Sequence, residues 1–236
     1  MTTALTIFNA RVDIKLEGIP DTEYPSASRD EQIKASLERY SKDRPKEVVL
    51  DVSGDGGNYY EINTTVFTSW VEGFSRIILV EYPAAAIASD EAPTYLEDEE
   101  WRDDYRDATK RYLYLPDDTP AATEKMRITY IAPYLFAGAT PATDTPEQDF
   151  DAICSLAAGL CCEALAAKYG QSMDPTLGAD VVNYAEKTDF YARRSKELIA
   201  LYEEHMGIEE EGTAPASVVS DWDVGETYLF HGRKTR

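Results

Sequence analysis

The sequence predicts an α+β fold: a long antiparallel helical hairpin plus shorter N-terminal helices, with an inserted antiparallel β section and an extended C-terminal tail. Three observations carry that reading. Apolar residues recur at helical spacing through 145–206, the period changes to strand-like runs from Glu47, and past Gly207 no period survives. The chain therefore divides into N-terminal helices of a helical framework (1–45), a β section with an acidic loop (46–143), the long hairpin (144–207) and the tail (208–236).

Residues 4–18 carry two patterns. Leu5, Phe8, Val12 and Leu16 suit a helix closed by Gly18, while Val12, Ile14 and Leu16 alternating with charges suit a strand; the helix is preferred. After a turn-rich stretch from Ile19 to Ala27, Ser28 and Glu31 form a capping box. Ile33, Leu37 and Tyr40 then give a short amphipathic helix that stops before Pro45. Its apolar stripe needs a partner, and the long hairpin is the nearest candidate.

From Glu47 the period changes. Val48, Val49, Leu50 and Val52, then Tyr59, Tyr60 and Ile62, read as two strands joined by the glycine-rich turn Ser53-Gly54-Asp55-Gly56-Gly57-Asn58, a hairpin. Phe74 to Tyr82, Arg111 to Leu115 and Lys125 to Ile131 read as further strands. Between them, Ser89 to Asp107 places nine acids around Trp101 and Tyr105 and reads as a solvated acidic loop. Gly138 to Thr143 is a Pro/Ala/Thr linker back to the helices, so the β section looks inserted into a helical frame.

Thr145-Pro146-Glu147-Gln148 is a helix start signal, with Thr145 placed to cap and Gln148 to reach back to the cap amide. The stripe runs from Phe150 through Ile153, Cys154, Ala157, Leu160, Cys161, Ala164 and Leu165 to Tyr169, and Gly170 ends it. A second stripe runs from Val181 to Tyr202, with Gly207 as a left-handed cap. The short link makes the pair antiparallel. The first helix is crowded with small residues (Ala157, Ala158, Gly159, Ala164, Ala166, Ala167), which lets neighbours approach on more than one side, as in a bundle or a subunit interface.

Composition excludes several functions. A net charge of −21, from 44 acids against 23 bases, argues against gripping phosphate backbones, although an acidic wall lets nucleic acid pass without sticking. Cys154, Cys161 and Cys162 share one helix, where no ordinary intrahelical disulfide is available, and read as reduced core residues. Neither a leader pattern nor a stretch approaching eighteen apolar residues is present, so a cytoplasmic origin is expected.

The chemical motifs are weak. Asp51-Val-Ser53-Gly-Asp55-Gly56 begins like a calcium loop, but position 12 holds Ile62 where a bidentate Glu belongs, and the flanks are strands. Paired carboxylates drawn from Asp51, Asp55 or the acidic loop all fall in solvated runs, whereas acid and base catalysis needs unlike environments. His205 sits at a helix C-terminus, where a cation complements the dipole. No enzyme activity, metal or cofactor is expected. The tail holds Trp222, Tyr228 and Phe230 and then Arg233, Lys234 and Arg236, aromatics beside a basic end, the composition of a segment that docks into a partner's groove.

The N-terminal helix, the Ser28 to Pro45 helix ending Tyr-Ser-Lys-Asp-Arg-Pro, and above all Asp149-Phe150-Asp-Ala-Ile-Cys-Ser-Leu-Ala-Ala through Tyr202-Glu-Glu-His resemble the head-to-tail connector (adaptor) proteins of tailed bacteriophages. The resemblance covers the helices; the large β insertion departs from the smallest members. It implies a non-enzymatic virion structural protein of the neck, made in the host cytoplasm, that assembles as a homo-oligomer ring, usually of twelve copies, under the portal. DNA passes through such a ring without specific binding, and no membrane is involved. The C-terminal segment of the family reaches into the portal, so Trp222, Tyr228, Phe230, Arg233, Lys234 and Arg236 are the expected partner-binding residues, with the next neck or tail protein as a further partner. Alternatives are a stopper or tail terminator, or an acidic calcium-binding or hydrolytic protein.

Overall fold

Leu5, Phe8, Val12 and Leu16 fall on one face of a helix, and that spacing wins over the competing strand pattern at the N-terminus. The computed structural model describes residues 2–17, 19–84, 92–105, 110–138, 141–171 and 184–208. In order these form β1 (Thr3–Ala4), α1 (Leu5–Lys15), α2 (Ser26–Asp43), β2 (Lys46–Ser53), β3 (Tyr59–Ile62), β4 (Arg76–Glu81), β5 (Arg102–Tyr105), β6 (Arg111–Tyr114), β7 (Lys125–Ala132), β8 (Ala142–Thr143), α3 (Glu147–Gly170) and α4 (Tyr184–Met206). The fold is α+β, with the β section between α2 and α3. Glu17, at φ 57°, is the left-handed residue after α1, one place before the expected Gly18, which lies outside the described residues.

The helices share one apolar core. Phe8 and Val12 of α1, Ile33, Leu37 and Tyr40 of α2, the stripe Ile153, Leu156, Ala157, Cys161 and Leu165 of α3, and Leu198 and Tyr202 of α4 are buried together. The α3–α4 pair is antiparallel: Asp149 meets His205, Gly159 faces Ser195 and Ile199, and Gly170 lies against Thr188. Gly159 is required for that approach, because a Cβ there would stand 2.8 Å from Ile199 Cγ1. The left-handed Gly207 (φ 67°) follows α4 as expected. Ala157, Ala158 and Gly159 of α3 serve this packing within the chain, where α1, α2 and α4 all lie against the helix, while Ala164 and Ala166 are half-buried and Ala167 is exposed. Among the described residues α3 is the one helix long and apolar enough to cross a membrane, and 67% of that window is buried inside the protein.

Two expected caps do not form. Pro146 occupies the N-cap of α3, and Thr145 turns into the interior at 1% exposure with its Oγ1 unpartnered. Pro25 likewise caps α2 three residues before the expected Ser28, leaving Ser28 in the first turn, and Glu31 pairs with Lys34 at 2.7 Å instead. Both prolines hold an extended ψ that launches the helix without a side-chain cap.

The β section builds two three-stranded antiparallel sheets, β2-β7-β4 and β3-β6-β5, around a second core of Tyr60, Phe67, Trp70, Leu113, Met126, Ile128 and Tyr130. The expected β2–β3 hairpin is therefore corrected: β2 pairs with β7 and β3 with β6. The glycine-rich turn is a crossover between sheets. Gly54 donates to Glu124 O (2.9 Å) and Gly56 to Pro120 O (2.8 Å), and a Cβ on Gly54 would collide with Pro120 O at 2.2 Å.

Two further strands arise where loops were expected. β5 lies in the acidic stretch because Arg111 clamps Asp103, neutralising the charge that marked it as solvated. β8 lies in the 138–143 linker and pairs with β1. The chain enters and leaves the β section side by side: Lys46 is ion-paired with Asp144, and Tyr134 N–H donates to Ser41 Oγ at 2.9 Å.

Candidate functional site

The most elaborate polar site lies where three helix ends meet. Asp149 is the third residue of α3, on the same stripe as Ile153 and Leu156, so the periodicity that buries the core buries a carboxylate with it. It is 1% exposed. Tyr40 Oη, from the last turns of α2, donates to Oδ2 at 2.6 Å, and Arg44 just past α2 donates to the same oxygen at 2.9 Å. From the last turn of α4, His205 Nε2 lies 2.9 Å from Oδ1. The positive end of the α3 dipole adds to these donors.

Burial pushes the Asp149 carboxyl up, but the Tyr40 hydroxyl, then His205 and Arg44, outweigh it and hold the group below its ordinary value. Burial and the facing carboxylate push the Tyr40 hydroxyl well above the usual tyrosine range. A second layer surrounds the first: Tyr202 Oη donates to Asp43 at 2.6 Å, and Arg39 meets Glu203 at 2.6 Å and lies over the Tyr202 ring. An ionised carboxylate whose oxygens are occupied by protein donors is a fastener, not a base. It pins the last turn of α4 two residues before Gly207, the point from which the tail departs. His205 thus has a specific anionic partner besides the helix dipole.

This buried carboxylate is the feature the sequence reading passed over, having drawn its candidate carboxylates from Asp51, Asp55 and the acidic loop. The available signal was an acid on an apolar stripe in the first turn of a helix.

The other candidates are engaged structurally. Asp51 Oδ1 accepts from Arg127 Nε at 2.8 Å across β2 and β7, and Arg127 also meets Glu81 at 3.1 Å. Asp55 Oδ1 accepts the Gly57 N–H at 2.8 Å, closing the crossover turn. Glu100 caps Glu97 N–H at 2.8 Å. Among the described residues no group of His, Cys, Asp or Glu is arranged to hold a metal ion.

The three cysteines are buried and unbridged. Burial pushes the Cys154 and Cys161 thiols up to about 12 and Cys162 up to about 11, so they remain un-ionised at neutral pH. Trp222, Tyr228, Phe230, Arg233, Lys234 and Arg236 lie outside the described residues, as do Asp90, Glu91 and Asp107 of the acidic stretch. Neither a known protein family nor a curated protein matches this chain.

Proposed function

We propose that the protein is a non-enzymatic structural component of a phage virion, a head-to-tail adaptor that forms a ring under the portal and lets DNA through. The observation that supports it is the helical frame: two shorter helices, an inserted β section, and a long antiparallel pair pinned at Asp149, from which an aromatic and basic segment departs. The net charge of −21 suits a wall past which DNA slides. The helical frame favours an adaptor over a mostly β stopper or tail terminator.

The surface offered to neighbouring copies is not the face of α3 at Ala157, Ala158 and Gly159, which this chain covers itself. Ile7 and Ile14 project from α1, and Phe190 and Leu201 from α4, all more than half exposed. Each pair lies on one helix face, and Phe190 also lines a groove of about 300 Å³ with Lys15, Cys162, Tyr191 and Arg194. Copies meet there, and the tail residues Trp222, Tyr228, Phe230, Arg233, Lys234 and Arg236 reach the portal.

Negative-stain imaging of the purified protein with and without its portal tests the reading. A ring seated on the portal is expected, and removal of residues 212–236 is expected to keep the fold and abolish seating. Monomers that ignore the portal, or unchanged seating of the truncated chain, count against it.

A further inference from the structure

β2 is an eight-residue strand that uses one of its two edges. Among the described residues it pairs with β7 alone. Which backbone groups face the other edge follows from register. Gly54 N–H donates to Glu124 O, continuing the ladder in which Val52 meets Met126, Leu50 meets Ile128 and Val48 meets Tyr130. Hydrogen-bonded pairs alternate in an antiparallel ladder, so these even-numbered residues bond to β7. Ala84 N–H donating to Lys125 O agrees, because it turns an odd-numbered β7 carbonyl toward the β4 side. The N–H and C=O groups of Glu47, Val49, Asp51 and Ser53 therefore point outward.

The opposite edge of the same sheet is covered. Leu96 N–H donates to Val80 O at 2.8 Å and Tyr82 N–H to Thr94 O at 3.0 Å, laying residues 94–96 along β4. An uncovered long edge is a standing template for strand addition, and proteins ordinarily blunt it. Here Val49 stands 59% exposed between the side chains of Glu47 and Asp51.

We propose that, in the chain free of its portal, this edge of β2 takes residues 227–236 of the same chain as an added strand. Charge selects the occupant. Along the edge Glu47 stands beside Val49 in no ion pair among the described residues, while Asp51 on the other side is held by Arg127, and residues 227–236 hold Arg233, Lys234 and Arg236 with no acid among them. Pairing β2 with β2 of a second copy, centred on Val49, gives Glu47 no new cation, because it falls opposite an Asp51 that Arg127 already holds.

Distance selects the same copy. His205 and Arg44 both hold Asp149, which places the end of α4 beside the residue two before β2. The intervening residues 209–226 span up to ~60 Å when extended, ample for closure, and a tether of that kind holds its end at about millimolar effective concentration. The added strand sets Leu229 or Phe230 beside Val49, extending the exposed row that Val49 shares with Thr129 and Leu79. Backbone bonds give affinity and the alternating side chains give selectivity, as in other strand additions. The contact does not depend on the portal reading.

Residue-resolved amide exchange of the full chain and of a chain ending at residue 226 tests it. The Val49 and Asp51 amides are expected to exchange about tenfold faster in the shorter chain, while Val48, Leu50 and Val52 keep their rates. Glu47→Lys, or Arg233→Glu with Lys234→Glu, is expected to lower the Val49 protection about threefold, the size of an exposed ion pair. Equal Val49 and Asp51 rates in the two chains overturn the proposal. So does protection that grows with protein concentration, which assigns the strand to another copy.

Discussion

His205 Nε2 stands 2.9 Å from Asp149 Oδ1, so the last turn of α4 is fastened to the first turn of α3 through a carboxylate that Tyr40 and Arg44 also hold. Replacing Asp149 by Asn keeps the shape and removes the charge that three donors face. The expected loss is ~2–3 kcal/mol in urea unfolding at pH 7, toward the lower end for a broken buried pair because Arg44 and His205 remain partly hydrated.

The same group has a pH signature. Its folded-state pKa is depressed, so its contribution is full above the unfolded value and is lost as pH falls through the folded value. The difference in stability between the natural chain and Asp149→Asn is expected to shrink below about pH 4, as the carboxylate takes up its proton. A difference that grows below about pH 4 contradicts the assignment.

Gly159→Val tests the α3–α4 approach. A Cβ already meets Ile199 Cγ1 at 2.8 Å and Ser195 O at 3.3 Å, the second a backbone atom that cannot swing aside. Helix propensity favours leaving glycine by a few tenths of a kcal/mol, and overpacking opposes it by ~1–3 kcal/mol. Net destabilisation of ~2 kcal/mol is expected by thermal unfolding, with Gly159→Ala milder.

Arg111 organises the second sheet. It clamps Asp103 on β5, reaches Glu72 at 3.2 Å and lies over the Trp70 ring at 5.1 Å. Arg111→Ala is expected to cost ~1–2 kcal/mol and to release the β5 amides to exchange, leaving β2 and β7 protected. Tryptophan emission reports the same change.

The cysteines supply a probe of the helical core. With thiols pushed to about 12, 12 and 11 and buried, Cys154, Cys161 and Cys162 are expected to ignore an aromatic disulfide reagent in buffer and to react fully in denaturant. Fast reaction of any of them in buffer contradicts the packing of α3.

How far these features could be read beforehand depended on whether local pattern or distant partners decided them. The stripes of α2, α3 and α4 are repeated every three or four residues, and so are Gly170 and Gly207 as stops legible by local chemistry alone. The positions of β4 and β6 were plain from β-forming residue types and that of β7 from alternation. Strand partners were not: Gly54 crosses between sheets because Pro120 O leaves no room for a Cβ, a contact sixty-six residues away in sequence. β5 is an acidic segment whose Asp103 is clamped by Arg111 on the neighbouring strand β6. The caps at Thr145 and Ser28 failed because a neighbouring proline already set the backbone. At the helix ends, Asp149 was visible as an acid on an apolar stripe, but its three donors come from α2 and α4.

The ion pair between Lys46 and Asp144 holds the two ends of the β section together. A closed seam of this kind makes the section a cassette. A short linker joining residue 45 to residue 133 could replace both sheets while keeping Tyr134 and Phe136, which pack in the helical core, and a foreign domain with adjacent termini could be grafted in their place.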